Sequence, residues 1–355
     1  MRIAVAALLA LLGAASALNV DHEWQKFLVR FGKAYHSEKE ANMRRAIFAD
    51  NLRHIEHLNR VSYGGVEHGV NQFSDMTSDE FRQKVLMTSR PPVETQLLDL
   101  LMGPAANSSA APSSFDWREK GAVTGVKDQG SVGTCWAFST TGAIEGAHFL
   151  ASGKLLSLSE EFLTDCDDRD CSVFGGWPYL AYQYILGAGG IPSEAAYPYC
   201  SGTGNCYPCM ANKNTTFCGP PPSYCNKTWD PSHCPSAPRD VKLESWQSVS
   251  KDEGVIASTL ASVGPLSTLM DATNLQSYKS GIWAPQPGLF GCKSDVDSLD
   301  HAVLLVGYGT DNGTDYWLVK NSWGESWGEK GFFRIKRGDS MCGINTMVTF
   351  PKVQH

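Results

Sequence analysis

The positions of the cysteines constrain this 355-residue chain more than any other feature. All eleven lie between Cys135 and Cys342, and the first 134 residues contain none. Because eleven is odd, a chain whose cysteines pair with one another leaves one thiol free. The sequence therefore predicts two dissimilar regions, of which the second is cross-linked by disulfides and carries one unpaired cysteine.

The N-terminal residues predict entry into the secretory pathway. Arg2 precedes an apolar run from Ile3 to Leu12, and Ala15-Ser16-Ala17 fits a cleavage site, so residues 1–17 are predicted to be a signal peptide. The run is shorter than the ~20 residues that cross a bilayer, and we expect no membrane span. An oxidising compartment favours disulfides for most cysteines. Four sequons predict glycosylation, at Asn107, Asn214, Asn226 and Asn312.

The charge balance argues against a nucleic-acid partner. The chain has 30 Lys and Arg residues against 37 Asp and Glu, a net charge of −7, whereas nucleic-acid binding needs basic surfaces. Residues 111–355 hold 18 of the basic and 25 of the acidic residues, so the negative charge belongs to that region. Hydrophobic residues make up 42%, which is enough for a folded core.

Residues 18–85 are charged and have the apolar spacing of helices. An amphipathic helix is predicted over 40–59, with an apolar stripe formed by Ile47, Phe48, Leu52, Ile55 and Leu58. A short second helix is predicted at Asp79-Glu80-Phe81, capped by Thr77 or Ser78. Residues 88–114 are rich in Pro, Ala and Ser, which predicts a flexible, exposed linker of the kind that proteases cut.

The second region predicts an α+β fold, with helix first and strands later. A helix is expected from Cys135 to Leu150, ended by Gly153. Strands are expected at Pro265–Met270, His301–Tyr308, Tyr316–Lys320 and Gly331–Ile335. Between helix and strands, residues 200–238 are crowded with Cys, Pro and Asn and form a Cys-rich insert without periodicity.

Cys135 is the candidate nucleophile because it is predicted to begin a helix. The unsatisfied N–H groups and positive end of a helix lower the pKa of a thiol at that position. A base is also needed, and this region has four histidines. His148 lies too far along the same helix, His233 is in the insert and His355 is the last residue. His301 opens an apolar strand that would hold its ring rigidly, so it is the best candidate.

Four further residues complete this predicted site. Asn321 ends the strand after the one opened by His301, so antiparallel pairing would bring its amide beside the imidazole. Trp323 and Trp327 follow closely and would exclude water. Gln129, six residues before the thiol, offers a side-chain N–H for an oxyanion.

These residues resemble the papain family of cysteine peptidases, and more closely its cathepsin L-like branch. In the second region the resemblance is carried by Gln129-Gly130-Ser131, Cys135 to Ser139, Asp165-Cys166, Gly175-Gly176, Asp300-His301-Ala302, Gly307-Tyr308-Gly309 and Asn321 to Gly324. In the first it is carried by two gapped motifs, Glu40, Arg44, Phe48, Asn51, Ile55 and Asn59, and Gly69, Asn71, Phe73 and Asp75.

The resemblance implies a zymogen with a papain-like α+β fold of two subdomains. A helical left half and a β-barrel-like right half would follow a helical N-terminal propeptide. It implies that residues 18–110 are an inhibitory propeptide, with the linker from about 88, and that 111–355 are the peptidase. It further implies an endopeptidase without cofactor or metal, monomeric, in a lysosome-like compartment or outside the cell. Cystatin-type inhibitors are expected partners, besides protein and peptide substrates.

The implied mechanism is amide hydrolysis through a thioester. Cys135 and His301 would form a thiolate–imidazolium pair, and Cys135 would attack the scissile carbonyl. Gln129 and the backbone N–H of Cys135 would hold the oxyanion. His301 would protonate the leaving amine, while Asn321 fixes the imidazole ring and Trp323 shields that contact.

The resemblance also locates the pocket for P2, the substrate residue two before the scissile bond. Its lining is entirely apolar and would consist of Trp177, Pro178, Leu269, Leu299, Ala302 and Met347. An arginine there would be buried without a partner, so we expect Leu, Val or an aromatic residue instead. Gly175 and Gly176 would let the substrate backbone approach closely.

Disulfides implied by the resemblance are Cys166–Cys206 and Cys292–Cys342. A further bridge of the family is replaced here by Val132 and Val173, which predicts an apolar contact in its place. Six cysteines then remain, with fifteen possible pairings: Cys171, Cys200, Cys209, Cys218, Cys225 and Cys234. The Cys206-x-x-Cys209 spacing hints at zinc, but a secreted chain favours disulfides.

Three hypotheses about regulation and class remain open from the sequence. The insert either restricts the cleft to exopeptidase action through His233, as in cathepsin B-like relatives, or is a solvated, glycosylated flap. A binding protein with lost catalysis is the alternative class, although all four catalytic residue types are present. Finally, the first region has five histidines, which either are solvated helix residues or, when protonated in acid, would loosen the propeptide: His22, His36, His54, His57 and His68.

Overall fold

A computed structural model of the chain describes residues 20–61, 65–93, 111–203, 212, 214–219, 233–285 and 291–354. Helices are α1 (20–31), α2 (Glu38–Val61), α3 (Ser78–Lys84), α4 (Cys135–Ser152), α5 (Glu160–Cys166), α6 (Pro178–Ala188), α7 (Thr215–Cys218), α8 (His233–Ser236) and α9 (Glu253–Val263). Strands are β1 (Glu67–His68), β2 (Phe115–Asp116), β3 (Leu243–Ser248), β4 (Leu266–Met270), β5 (Tyr278–Ser280), β6 (Ile282–Trp283), β7 (His301–Asp311), β8 (Thr314–Lys320), β9 (Phe332–Lys336) and β10 (Thr349–Val353). The predicted signal peptide, Asn107, Cys206, Cys209, Cys225 and Asn226 lie outside these residues.

The N-terminal helices are joined by the residues of the two gapped motifs. Arg44 on α2 donates to the carbonyl of Asp75 and pairs with Glu80 on α3, and the amide of Asn51 donates to the carbonyls of Ser74 and Met76. Thr77 and Glu80 form a capping box at the start of α3, as the sequence predicts. The motif side chains Arg44 and Asn51 thus provide hydrogen-bond donors for the backbone carbonyls of residues 74–76, in the turn before α3.

The second region contains α4 packed against one large sheet. The strand order is β3-β10-β4-β7-β8-β9-β6, with β2 paired to β7. The predicted helix ends at Gly153, which adopts φ 72° and so takes the left-handed turn that glycine tolerates. All four predicted strands are present, while β3 and β10 were not predicted because their exposed and buried residues do not alternate regularly.

The propeptide region also contributes a strand to the second region. Glu67 and His68 of β1 pair with Ser280 and Tyr278 of β5 in a separate two-stranded sheet. Among the described residues, none of the helices has the length and apolar character needed to cross a membrane.

Three disulfides are formed among the described residues, and one differs from expectation. Cys292–Cys342 is present as the resemblance implied. Cys166 pairs with Cys234, so the expected Cys166–Cys206 bridge is wrong. The reason is that α8 brings Cys234 beside the end of α5, with a Cα–Cα distance of 5.7 Å, and each sulfur forms only one such bond.

The Cys-rich insert is tied down at a second point by Cys171–Cys218. Cys200 is also disulfide-bonded, while Cys135 is free and buried. The backbone N–H of Gly133 donates to the carbonyl of Val173, which brings together the two segments that carry Val132 and Val173. A hydrogen bond between backbones therefore joins the segments where the family has a disulfide.

Candidate active site

The Cys135 sulfur lies at the start of β7, beside the residue after His301, because α4 packs against that strand. Cys135 is the first residue of α4, and His301 is the first residue of β7. The backbone N–H of Ala302 donates to the Cys135 sulfur at 3.3 Å. Both side chains are fully buried in the full-length chain.

Asn321 lies directly beside the imidazole, as pairing between β7 and β8 predicts. The His301 Nε2 atom is 2.7 Å from Asn321 Oδ1, which also accepts from the Ser322 backbone N–H. The second ring nitrogen, Nδ1, is buried without a hydrogen-bond partner. The geometry therefore leaves Nδ1 available for a proton exchanged with another group.

The indole of Trp323 covers the imidazole. The ring centroids of His301 and Trp323 are 4.5 Å apart with an interplanar angle of 28°. Trp327 packs edge-on against Trp323, and both indoles are fully buried. Water is thereby excluded from one face of the imidazole.

Gln129 is held close to the thiol by hydrogen bonds to both of its amide atoms. Its Oε1 accepts from the Ser322 hydroxyl at 2.6 Å. Its Nε2 donates to the carbonyls of Val132 at 2.7 Å and of Val85 at 2.8 Å. Val85 belongs to the predicted propeptide, so the Gln129 side-chain N–H already donates to a backbone carbonyl of that segment.

The propeptide segment also reaches the residues predicted to line the P2 pocket. Met87 is buried in the same apolar cluster as five of these six residues, namely Trp177, Leu269, Leu299, Ala302 and Met347. Its backbone N–H donates to the carbonyl of Asp300 at 2.8 Å. An apolar side chain of the propeptide segment is thus buried together with most of the predicted pocket.

The propeptide backbone approaches Gly175 closely. A Cβ on Gly175 would lie 2.3 Å from the Ser89 carbonyl oxygen, whereas one on Gly176 would meet the Asp170 carboxyl at 2.7 Å. Pro178 follows as the first residue of α6, where its missing N–H costs nothing.

Residues 88–93 differ from the exposed linker that the sequence predicts. The backbone N–H groups of Thr88 and Ser89 both donate to the Phe174 carbonyl. Pro91 is buried, and its carbonyl accepts from the Trp177 indole at 2.6 Å. This part of the linker lies along the cleft, while residues 94–110 are outside the described part.

Burial changes the protonation of the central pair in the full-length chain. It raises the pKa of Cys135 to about 12, despite the hydrogen bond from Ala302. It lowers the pKa of His301 to about 4, despite the contact with Asn321. Both effects have the same cause, since a charged group loses its hydration when the cleft is covered. The covered pair is therefore a neutral thiol and a neutral imidazole.

A buried ionic network behind the site was missed by the sequence analysis. Lys127 donates to Glu145 at 3.0 Å and to Glu160 at 2.6 Å, and Lys320 donates to the Thr124 hydroxyl. Burial alone would raise the pKa of Glu145, but attraction to Lys127 and Lys320 lowers it overall. The pKa of Glu160 is raised to about 7, mainly by burial. The network links α4 and α5 to Lys320, the residue before Asn321. The four charged residues lie singly in four separate segments, so the sequence contains no local pattern from which to predict the network.

Two of the four predicted glycosylation sites, and His233 of the insert, lie in the described part of the chain. The sequon residues Asn214 and Asn312 are exposed, the first as N-cap of α7 and the second in the turn between β7 and β8. His233 begins α8. Within the described ranges, no three His, Cys, Asp or Glu side chains are grouped to hold a metal ion.

Two family comparisons match separate parts of the chain. Residues 111–352 match the family described as "Papain family cysteine protease", and residues 24–81 match "Cathepsin propeptide inhibitor domain (I29)". Cysteine proteinase 15A of Pisum sativum is 38% identical over 94% of this chain and 86% of its own length. Cathepsin F of Drosophila melanogaster is 39% identical over 93% of this chain and 50% of its own length.

A solved structure supports the same relationship for the whole fold. Digestive procathepsin L 3 of Tenebrio molitor larval midgut superimposes with a TM-score of 0.72 and 34% identity. The alignment covers 94% of this chain and 98% of the other. The two share an α+β fold preceded by a helical N-terminal region.

Proposed function

Because the chain belongs to the papain family of cysteine proteases, we propose that Cys135, His301, Asn321 and Gln129 carry out its peptide-bond hydrolysis. The chain is a papain-like zymogen with a propeptide inhibitor domain. The observation that carries the assignment is the chain of contacts from the Ala302 N–H to the Cys135 sulfur and from His301 Nε2 to Asn321.

In the proposed reaction, removal of the propeptide restores water and charge to the cleft. Hydration lowers the pKa of Cys135 and raises that of His301, so that the proton passes from sulfur to the imidazole. The thiolate attacks the scissile carbonyl, and its oxyanion is held by Gln129 Nε2 and the backbone N–H of Cys135. His301 then protonates the leaving amine and later activates water to hydrolyse the thioester.

Asn321 acts in this scheme as a positioning residue for the imidazole. Its Oδ1 contact fixes which ring nitrogen faces away from the sulfur, and the stacked Trp323 keeps water from breaking that contact.

The substrate preference proposed at P2 is an apolar side chain. Support comes from the apolar lining predicted for the pocket and from Met87, an apolar propeptide residue that is buried in the same cluster. An arginine in this pocket would lose hydration without gaining a buried acid.

We propose endopeptidase action, in the secretory pathway, with a lysosome-like compartment or the cell exterior as destination. The disulfide-bonded, cathepsin-like fold is consistent with that pathway. We further propose a monomer that binds cystatin-type inhibitors, is glycosylated at its exposed sequons, and becomes mature by cleavage between 88 and 114.

One digestion tests this function. The acid-processed protein and its Cys135→Ala variant are incubated with a long unstructured peptide, and the products are identified by mass spectrometry. Internal cleavage by the wild type alone supports the assignment. Cleavage by the variant would refute the role of Cys135, and release of C-terminal dipeptides only would instead favour an insert that restricts the cleft.

A further inference from the structure

The Arg90 guanidinium occupies a position on the cleft that the proposed catalytic residues do not explain and that involves Trp177, one of the predicted P2 residues. Its Cζ atom is 5.0 Å from the centre of the Trp177 ring. Its Nη2 atom donates to two backbone carbonyls, 3.1 Å from Val296 and 2.7 Å from Asp297. An aromatic face and two converging acceptors together suit a planar cation.

The charges around this position have the sign that a cation requires. Coulombic attraction from Asp300, Asp297 and Asp295 favours the charged guanidinium, although burial outweighs this attraction and lowers the pKa of Arg90. Asp295 and Asp297 are exposed, and Asp300, the residue before His301, is partly buried. The peptidase region also holds the whole net negative charge of the chain.

Removal of the propeptide would uncover this position. Arg90 lies in the segment proposed to leave on maturation, three residues after Met87, which is buried in the cluster of the predicted P2 pocket. The Trp177 face and the carbonyls of Val296 and Asp297 would then be open to substrate, at the end of the cleft beyond P2.

We propose that the Trp177 face and the Val296–Asp297 turn form a subsite for a basic substrate side chain, with arginine preferred over lysine. The subsite accepts the residue at P3 or P4, the first or second position before P2. The inference rests on the proposed peptidase function and adds its substrate class. Arginine is preferred because its planar group stacks on the indole while it donates to the carbonyls, whereas an ammonium cannot do both equally well.

The first test uses the processed wild-type protein and matched fluorogenic tetrapeptides with Leu at P2. The peptides differ only at P3 or P4, which is Arg, Lys, norleucine or Glu. We expect kcat/KM for Arg to exceed that for norleucine about tenfold at one of the two positions, with Lys between them and Glu lowest. Equal values for Arg and norleucine at both positions would overturn the proposal. Failure to cleave any of the peptides would instead count against the proposed function.

The second test places the preference on this surface. The double variant Asp295→Asn/Asp297→Asn keeps amide oxygens that can still cap the turn but removes both charges. We expect the ratio of kcat/KM for Arg to that for norleucine to fall at least threefold, and more so at low salt. The control Glu244→Gln removes an exposed carboxylate on β3 and is expected to leave the ratio unchanged. An unchanged ratio in the double variant would show that the subsite lies elsewhere.

Discussion

The Nε2 atom of Gln129 donates to the backbone carbonyl of Val85 at 2.8 Å, so the propeptide supplies a peptide carbonyl to the proposed oxyanion donor. The same segment buries Met87 in the apolar cluster of the predicted P2 pocket, and the Met87 backbone N–H donates to the Asp300 carbonyl. Inhibition therefore uses the contacts proposed for a substrate, and a substrate cannot bind until this segment leaves.

Replacing Gln129 by alanine removes one proposed oxyanion donor. We expect kcat to fall by about 10²–10³ while the protein still folds, because one donor contributes that much in comparable sites. Ser322→Ala is the matched variant, since its hydroxyl holds Gln129 Oε1 at 2.6 Å, and we expect a smaller loss. Steady-state kinetics on a P2-Leu substrate measure both. Full kcat in Gln129→Ala would exclude the role.

Covering the cleft should make Cys135 unreactive. Burial holds its pKa at about 12 and that of His301 at about 4, so the reactive thiolate is scarce in the full-length chain. We expect iodoacetamide to label Cys135 on the order of a hundred times more slowly before processing than after it. Peptide mapping follows the label, and Cys135→Ala gives the background. Equal rates would contradict the covered cleft.

Selection at P2 should depend on Met347. The wild type is expected to cleave a Leu-Arg substrate at least tenfold better than an Arg-Arg substrate, with P2 written first, because a buried guanidinium lacks a partner. Met347→Glu supplies a carboxylate partner for the guanidinium. We expect this variant to lower the ratio of Leu-Arg to Arg-Arg cleavage by tenfold or more. The control Met347→Leu should keep the wild-type preference. Efficient use of Arg-Arg by the wild type would refute the proposed lining.

Protonation of His68 should weaken propeptide docking in acid. His68 is buried, its Nδ1 lies 3.0 Å from the Ser277 hydroxyl, and burial followed by repulsion from His54 lowers its pKa to about 4. Because this value lies below the ordinary 6.5, the docked form holds fewer protons than the released form. Its stability therefore falls as pH drops from about 6.5 to about 4.

The neighbours of His68 do not reverse this sign. Glu67 beside it is engaged by Lys279 and Ser280. We expect His68→Asn, which keeps an amide near Ser277 without titrating, to slow processing several-fold at pH 5 and little at pH 7. Exposed His36→Asn is the control, and gel electrophoresis of a time course is the measurement. Unchanged processing at pH 5 would remove His68 from the pH response.

The disulfides can be checked on the unreduced protein. Peptide mapping should link Cys166 with Cys234 and Cys171 with Cys218. Removing the second bridge by a Cys171→Ser/Cys218→Ser change should lower the free energy of unfolding by about 2–4 kcal/mol. Urea unfolding measures this. A peptide linking Cys166 to Cys206 would restore the family pairing.

Local signals predicted the elements that position the site. The cap at Thr77, the glycine after α4 and the apolar run after His301 each act over a few residues, and each was confirmed. The closeness of His301 to Asn321 followed from one antiparallel pairing, between β7 and β8.

Long-range choices were not predictable in the same way. The partner of Cys166 depends on the path of the whole insert, which has no periodicity, and the resemblance suggested the wrong cysteine. The contacts of Arg90 depend on the propeptide following the cleft, although a Pro-rich composition predicted an exposed linker. In both cases the packing of distant segments determines the contact, because the local sequence favours neither alternative.

The backbone bond from Gly133 to Val173 has a consequence for biosynthesis. A cysteine at position 132 would be a second thiol within three residues of the nucleophile during oxidative folding, where thiolates readily exchange into incorrect bridges. With valine at positions 132 and 173, no such incorrect bridge can form at this loop. Because a backbone hydrogen bond joins the two segments, a reductant that opens surface disulfides leaves the loop before Cys135 in place.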